Sequence, residues 1–85
     1  MMPIEELRRV LQSAFDGDQV HLTSPMDDDN HFQCVIVSDR FEGKSMVERH
    51  QTVYRALGDV MREAVHALAL KTYTPAQWEQ QAGRR

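Results

Sequence analysis

Four histidines and one cysteine are the side chains of this sequence that could bind a transition metal. A neutral imidazole nitrogen is a borderline donor that suits several transition metals, and a cysteine thiolate is a soft donor. A metal site needs several such groups at one point in space, so the chemistry depends on the elements that carry them. The five candidates are His21, His31, Cys34, His50 and His66.

The spacing His31-x-x-Cys34 does not favour a ligand pair. The residues around it predict a strand, and strand residues three apart point to opposite faces of a sheet. Cys34 instead shares a face with Phe32 and Ile36. Because an unpaired cysteine often behaves as a small apolar residue, we predict that Cys34 is buried in the core.

The patterns around other polar residues do not favour metal binding. His50 lies on the apolar stripe of a predicted helix, which indicates packing and an internal hydrogen bond. His21 lies on a predicted strand, opposite Val20 and Leu22, and is expected to be exposed without a function. The three aspartates at 27–29 lack the alternating ligands and the glycine of a calcium-binding loop. They therefore predict a solvated loop.

Hydrophobic spacing predicts the element order αββααβα, with one small sheet and helices around it. Ser45 and Glu48 form a predicted capping box, and Gly58 indicates a break between a longer and a shorter helix, although one kinked helix fits the pattern too. A second capping box begins at Thr74. The predicted ranges are a helix over 4–15, strands over 20–24 and 31–38, helices from 45 onward, a strand over 65–72 and a short helix from 74.

The connections between the strands predict their directions. The short loop between the first two strands favours antiparallel pairing. The helical crossover between the second and third strands favours parallel pairing. If these two strands are neighbours, both begin at the same end of the sheet, which would bring His31 and His66 to one edge.

Length and charge limit the possible functions. The chain has 85 residues, which predicts a single domain over 1–82 with a frayed tail at 83–85. Its 13 acidic residues exceed its 10 basic ones, giving a net charge of −3, whereas nucleic-acid-binding domains are usually basic. One cysteine cannot form an internal disulfide. The amino-terminal residues show no signal-peptide pattern, so the expected compartment is the cytoplasm.

Five linked segments resemble the BolA-like family, in order and over nearly the whole chain. The closing Thr-Tyr-Thr-Pro-Ala-Gln-Trp run is similar to the bacterial branch associated with acid stress and iron–sulfur biology. The resemblance implies an α+β fold like the class II KH domain, αββααβ(α), with a three-stranded mixed sheet and helices packed on one face. The segments are HFQCVIVS at 31–38, FEGKS at 41–45, RHQTVY at 49–54, VHAL at 65–68 and KTYTPAQW at 71–78.

The resemblance also implies a partner and a cofactor. Members of the family pair with monothiol glutaredoxins of the Cys-Gly-Phe-Ser type and share a 2Fe-2S cluster with the glutaredoxin and glutathione. His66 matches the family histidine, and His31 is the candidate second ligand. The predicted loop before the second strand has no cysteine, so the chain resembles the histidine type. Because protonated imidazole cannot bind a metal, such a site is expected to be sensitive to pH near about 6–7.

An alternative is a DNA-binding transcriptional regulator, since family members have also been described in that role. The candidate contacts are Lys44, Arg49 and Arg55, helped by Arg84 and Arg85. The Gly-x-x-Gly loop by which a KH domain clamps RNA is absent from the sequence. A homodimer is also left open. No catalytic motif is recognised, so the protein is interpreted as a non-enzyme.

Overall fold

The computed structural model describes residues 4–26, 31–59 and 68–82. Their arrangement confirms the α+β class. The short helix predicted after Gly58, the beginning of the third strand predicted at Val65, and the tail at 83–85 lie outside these residues. The elements are α1 (Ile4–Ala14), β1 (Gln19–Thr23), β2 (Phe32–Val37), a 3-10 turn (Asp39–Phe41), α2 (Met46–Leu57), β3 (Leu68–Tyr73) and α3 (Pro75–Ala82).

The three strands form one mixed sheet in the order β1-β2-β3. β1 pairs antiparallel with β2, placing Leu22 opposite Cys34. β2 pairs parallel with β3, placing Phe32 opposite Leu68. Both predicted directions are therefore confirmed, and β2 and β3 begin at the same end of the sheet.

The core lies between the inner face of the sheet and the helices α1 and α2. Alternation along the central strand puts Phe32, Cys34 and Ile36 on this face. The amphipathic helix α1 contributes Leu7 and Leu11, neither of which is exposed. The buried apolar cluster comprises Leu7, Leu11, Phe15, Leu22, Phe32, Cys34, Ile36, Phe41, Val53 and Leu57.

Both ends of α2 follow the sequence signals. The Glu48 backbone N–H donates to Ser45 Oγ at 3.2 Å, and the Ser45 N–H donates to Glu48 Oε1 at 2.8 Å. The hydrogen bond from the Ser45 backbone N–H favours the ionised carboxylate and lowers the pKa of Glu48. At the other end Gly58 has φ 58° and ψ −130°, a conformation that side chains disfavour, and α2 ends before it. The predicted capping box and helix end are confirmed.

Replacing Ser45 with alanine is expected to lower the free energy of unfolding by about 1 kcal/mol, because the first turn of α2 loses its capping acceptor. Urea denaturation followed by circular dichroism measures this change. Ser45→Asp is the matched control, since aspartate is also a good cap. A Ser45→Ala variant as stable as the unaltered protein would contradict the assigned contribution of the cap.

The short helix α3 reaches the outer face of the sheet, which corrects the expectation that the helices pack on one face only. The Trp78 ring lies 5.3 Å from Tyr73 and 5.6 Å from His21, measured between ring centroids. His21 pairs with Val35, and Tyr73 pairs with Val37. His21 and Tyr73 stand directly next to the buried residues Leu22 and Thr72 along their strands, so they lie on the face opposite the core. Thus α1 and α2 cover the inner face, while α3 contacts the outer face through Trp78.

Within the described ranges, no helix is long and apolar enough to cross a membrane.

Candidate functional site

His31 lies directly before β2 and is exposed. Ser24 Oγ donates a hydrogen bond to its backbone carbonyl at 3.2 Å, which ties the residue after β1 to the residue before β2. His31 also lines an open depression of about 340 Å³ together with Pro25, Met26, Phe32, Gln33, Leu68 and Ala69. An accessible imidazole therefore lies at the end of the sheet where β2 and β3 begin.

His66, the main predicted ligand, lies outside the described residues. In the sequence it stands two positions before Leu68, the residue with which β3 begins. The assignment of His66 and His31 as a ligand pair therefore stays a prediction. Among the described residues there is no group of three or more histidine, cysteine, aspartate or glutamate side chains that could hold a metal ion.

Cys34 lies in the core, as predicted. It is only 1% exposed, and burial raises the pKa of its thiol from 9.0 to about 12. Because the thiolate is the form that binds metals and attacks electrophiles, a thiol with this pKa is a poor ligand and a poor nucleophile at neutral pH. The described donors that fit iron are therefore imidazoles, and His31 is the one that lies where β2 and β3 begin.

Native protein is expected to resist alkylation by iodoacetamide at pH 8, since Cys34 is both buried and protonated there. Mass spectrometry should show rapid modification only after unfolding in guanidinium chloride. The raised pKa also stabilises the folded state fully below pH 9, and this contribution is lost as the pH rises from 9 toward about 12. Rapid modification of the folded chain would show that Cys34 is accessible.

The two remaining described histidines occupy different environments. His21 is exposed, as predicted, and its Nε2 lies 3.2 Å from Gln19 Oε1 while its ring stacks on Trp78. The His50 ring packs 6.2 Å from Tyr54, which agrees with the predicted packing role. The predicted internal hydrogen bond of His50 is not formed by Nε2, which is buried without a partner.

The predicted nucleic-acid contact Arg49 is occupied within the fold. It is 8% exposed, its Nε donates to the Lys44 carbonyl at 3.0 Å, and its Nη1 donates to Gln77 Oε1 at 2.8 Å. Its guanidinium also lies 5.9 Å from the Phe41 ring centroid. Arg49 thus joins α2 to the preceding turn and to α3. This placement favours a structural role over a phosphate contact.

The other predicted contacts are more accessible. Lys44 Nζ donates to Thr52 Oγ1 at 3.2 Å and is partly buried. Arg55 is exposed in the last turn of α2. Arg84 and Arg85 lie outside the described residues. The predicted nucleic-acid contacts that the structure describes, Lys44, Arg49 and Arg55, are therefore not all exposed.

Gln77 has two roles, and the sequence predicts only one of them. The second capping box is confirmed, because the Gln77 N–H donates to Thr74 Oγ1 at 3.2 Å and the Thr74 N–H donates to Gln77 Oε1 at 3.0 Å. The same Oε1 also accepts from Arg49, 28 positions away in the sequence. Local spacing gives no signal for so distant a partner.

Two proteins from Escherichia coli (strain K12) are similar to this chain in sequence. The DNA-binding transcriptional regulator BolA is 40% identical over 79 residues, covering 88% of this chain and 74% of that protein. The acid stress protein IbaG is 37% identical over 78 residues, covering 91% and 89%. Both are named as a regulator or a stress protein rather than an enzyme.

This chain is also similar to solved structures and matches a family profile. A BolA homologue from Coxiella burnetii shares 34% identity at a TM-score of 0.75, covering 93% of this chain and 99% of that one. Yeast Fra2 shares 30% identity at a TM-score of 0.76, covering 93% and 86%. The profile for BolA-like proteins matches residues 9–77. With most of its length matched in sequence and in fold, the chain belongs to the BolA-like family.

Proposed function

We propose that this protein is the partner of a monothiol glutaredoxin of the Cys-Gly-Phe-Ser type. In this proposal His66 and His31 co-ligate a 2Fe-2S cluster that the glutaredoxin and glutathione also hold. The observation that carries the proposal is the exposed His31 at the end of the sheet where the parallel strands β2 and β3 both begin. Family membership supports it, because the resemblance implies this partner and this cofactor.

The donors of this chain fit such a cluster through histidine and not through cysteine. His31 presents its imidazole beside an open depression, whereas Cys34 is buried and protonated. When bound, a histidine-ligated cluster has a higher reduction potential than one held by thiolates alone. The role of this chain is then to supply neutral imidazoles and to make the transfer of the cluster depend on pH. Because glutathione is a co-ligand, the proposed compartment is the reducing cytoplasm.

The test is to mix the purified protein with a cluster-loaded monothiol glutaredoxin and to record visible absorption and circular dichroism. The expected result is a spectrum distinct from that of the glutaredoxin alone, with a heterodimer on size-exclusion chromatography. The glutaredoxin homodimer is the reference for both measurements. An unchanged spectrum without a complex would contradict the proposal.

A second candidate function is DNA binding in transcriptional regulation, which the name of the E. coli BolA relative favours. Of the described residues predicted to contact DNA, Arg55 on α2 is exposed, while the net charge of −3 opposes this function. Specific DNA binding should weaken steeply as salt rises, because bound counterions are released from the DNA. Failure to shift any DNA at low salt would eliminate this function.

A further inference from the structure

Three sulfur-containing side chains lie in the described part of the chain, and their surroundings differ. Cys34 is 1% exposed, and burial raises the pKa of its thiol to about 12, so it is closed to oxidants and lacks the reactive thiolate. Met46 is 60% exposed, but its Sδ accepts a hydrogen bond from Thr72 Oγ1 at 3.8 Å. Met26 is 63% exposed, and its sulfur has no hydrogen bond to the other described residues. Of these three sulfurs, that of Met26 is therefore the most open to an oxidant in solution.

A thioether is oxidised through a lone pair on its sulfur. The lone pair attacks one oxygen of hydrogen peroxide, the O–O bond breaks, and the products are methionine sulfoxide and water. The sulfur loses two electrons, and the peroxide gains them. At Met46 the Thr72 hydroxyl occupies a lone pair of the sulfur, whereas no described donor does so at Met26. Peroxide is therefore expected to oxidise Met26 faster than Met46.

Met26 lies beside His31. Both residues line the depression of about 340 Å³ where β2 and β3 begin, and its other lining residues are apolar apart from Gln33. A partner that brings a cluster to the His31 imidazole also comes against the Met26 side chain. A thioether suits such a contact because it is apolar and flexible. A sulfoxide is polar, and burying it without a hydrogen-bond donor costs free energy.

We propose that Met26 is an oxidation site through which hydrogen peroxide regulates the site of His31. The thioether favours binding of the glutaredoxin partner, and the sulfoxide opposes it. The change is reversible, because methionine sulfoxide reductases use two electrons from thiols to restore the thioether and release the oxygen as water. The regulation rests on the proposed glutaredoxin partnership, whereas the faster oxidation of Met26 does not.

The first measurement is the rate of oxidation in the full chain alone. The protein is treated with hydrogen peroxide, and peptide mass spectrometry follows the sulfoxides of Met26 and Met46. In the folded chain Met26 should react at least about threefold faster, because oxidation follows exposure of the sulfur. The chain unfolded in guanidinium chloride is the control, and there the two rates should be similar. Equal rates in the folded chain, or faster oxidation of Met46, would overturn the proposal.

The second measurement is binding to a cluster-loaded monothiol glutaredoxin by isothermal titration calorimetry. Catalase removes the peroxide before mixing, so that the glutaredoxin and the cluster never meet the oxidant. The oxidised chain should bind about tenfold more weakly than the untreated chain. Treatment with methionine sulfoxide reductases and dithiothreitol, followed by removal of both, should restore the affinity. A loss that the reductases do not reverse would contradict the assignment to a sulfoxide.

Variants assign the effect to one side chain. The affinity of Met26→Leu should be the same before and after peroxide treatment, because leucine has no sulfur. Met26→Gln places a polar group of similar length at this position and should bind about tenfold more weakly without peroxide. The matched control Met46→Gln, equally exposed but outside the depression, should bind like the unaltered chain. A Met26→Leu variant that still loses affinity on oxidation would overturn the proposal.

Failure of the regulation and failure of the proposed function give different results. An untreated chain that does not bind the glutaredoxin would contradict the proposed function and the regulation with it. An untreated chain that binds, and whose affinity does not fall on oxidation of Met26, would contradict the regulation alone.

Discussion

Replacing His66 with alanine is expected to abolish the visible spectrum of the heterodimer with glutaredoxin, and His31→Ala is expected to weaken it. Removal of groups that only orient a metal ligand already costs about 10–100-fold in affinity, so loss of a ligand should cost at least as much. Absorption and circular dichroism of the cluster-loaded mixture measure the effect. Size-exclusion chromatography of the same samples separates loss of the cluster from loss of the complex.

His21→Ala is the matched control for these variants. It also removes one imidazole, but from the outer face, where His21 stacks on Trp78. Its mixture with glutaredoxin should keep the spectrum of the unaltered heterodimer. An unchanged spectrum in His66→Ala would show that the ligand assignment is wrong, and an effect of His21→Ala equal to that of His31→Ala would show that the loss is not specific.

The largest expected effect on stability is that of Phe41→Ala. Phe41 is fully buried, its ring centroid lies 6.1 Å from that of Phe15, and the Arg49 guanidinium lies beside it. Deleting a buried aromatic ring should lower the free energy of unfolding by about 3–5 kcal/mol. In a small domain whose total stability is about 5–15 kcal/mol, this is a large share. The midpoint of thermal unfolding should fall by about 12 °C or more.

Phe41→Leu provides the control, because leucine keeps most of the apolar volume and should cost no more than about 1.5 kcal/mol. Urea denaturation of both variants and of the unaltered chain gives the comparison. A Phe41→Ala variant that loses less than the leucine control would mean that the 3-10 turn can close over the vacated space. The stability contribution assigned to the Phe41 ring would then be wrong.

Features that depend on local spacing could be predicted from the sequence. The strand pattern around Cys34 placed the thiol in the core, and the Ser45 capping box marked the beginning of α2. Strand directions followed from the short loop and the helical crossover, so the neighbouring starts of β2 and β3 were predictable too. The choice of His66 as a ligand depended on the family resemblance, since histidine on a strand has no local signature of metal binding.

Features that depend on distant partners were missed. Arg49 is a candidate nucleic-acid contact in the sequence, but its partner Gln77 lies in another helix. The expected fold has its helices on one face of the sheet, but Trp78 of α3 lies on the other face. Periodicity shows which side of a helix is apolar but not which face of the sheet it covers. The stack of Trp78 on His21 is set by the route of the chain after β3.

Because the candidate site lies where β2 and β3 begin, it is complete only after these two strands have paired. The β1–β2 hairpin joins near neighbours such as Thr23 and Gln33, whereas β2 meets β3 across the interval from Phe32 to Leu68. Pairings between distant segments close slowly, because the entropy of the loop is lost before the contacts form. A chain with only its hairpin formed would present His31 on an incomplete sheet. A partner that recognises this end of the sheet would therefore select fully folded molecules and, by binding only to them, make them more resistant to unfolding.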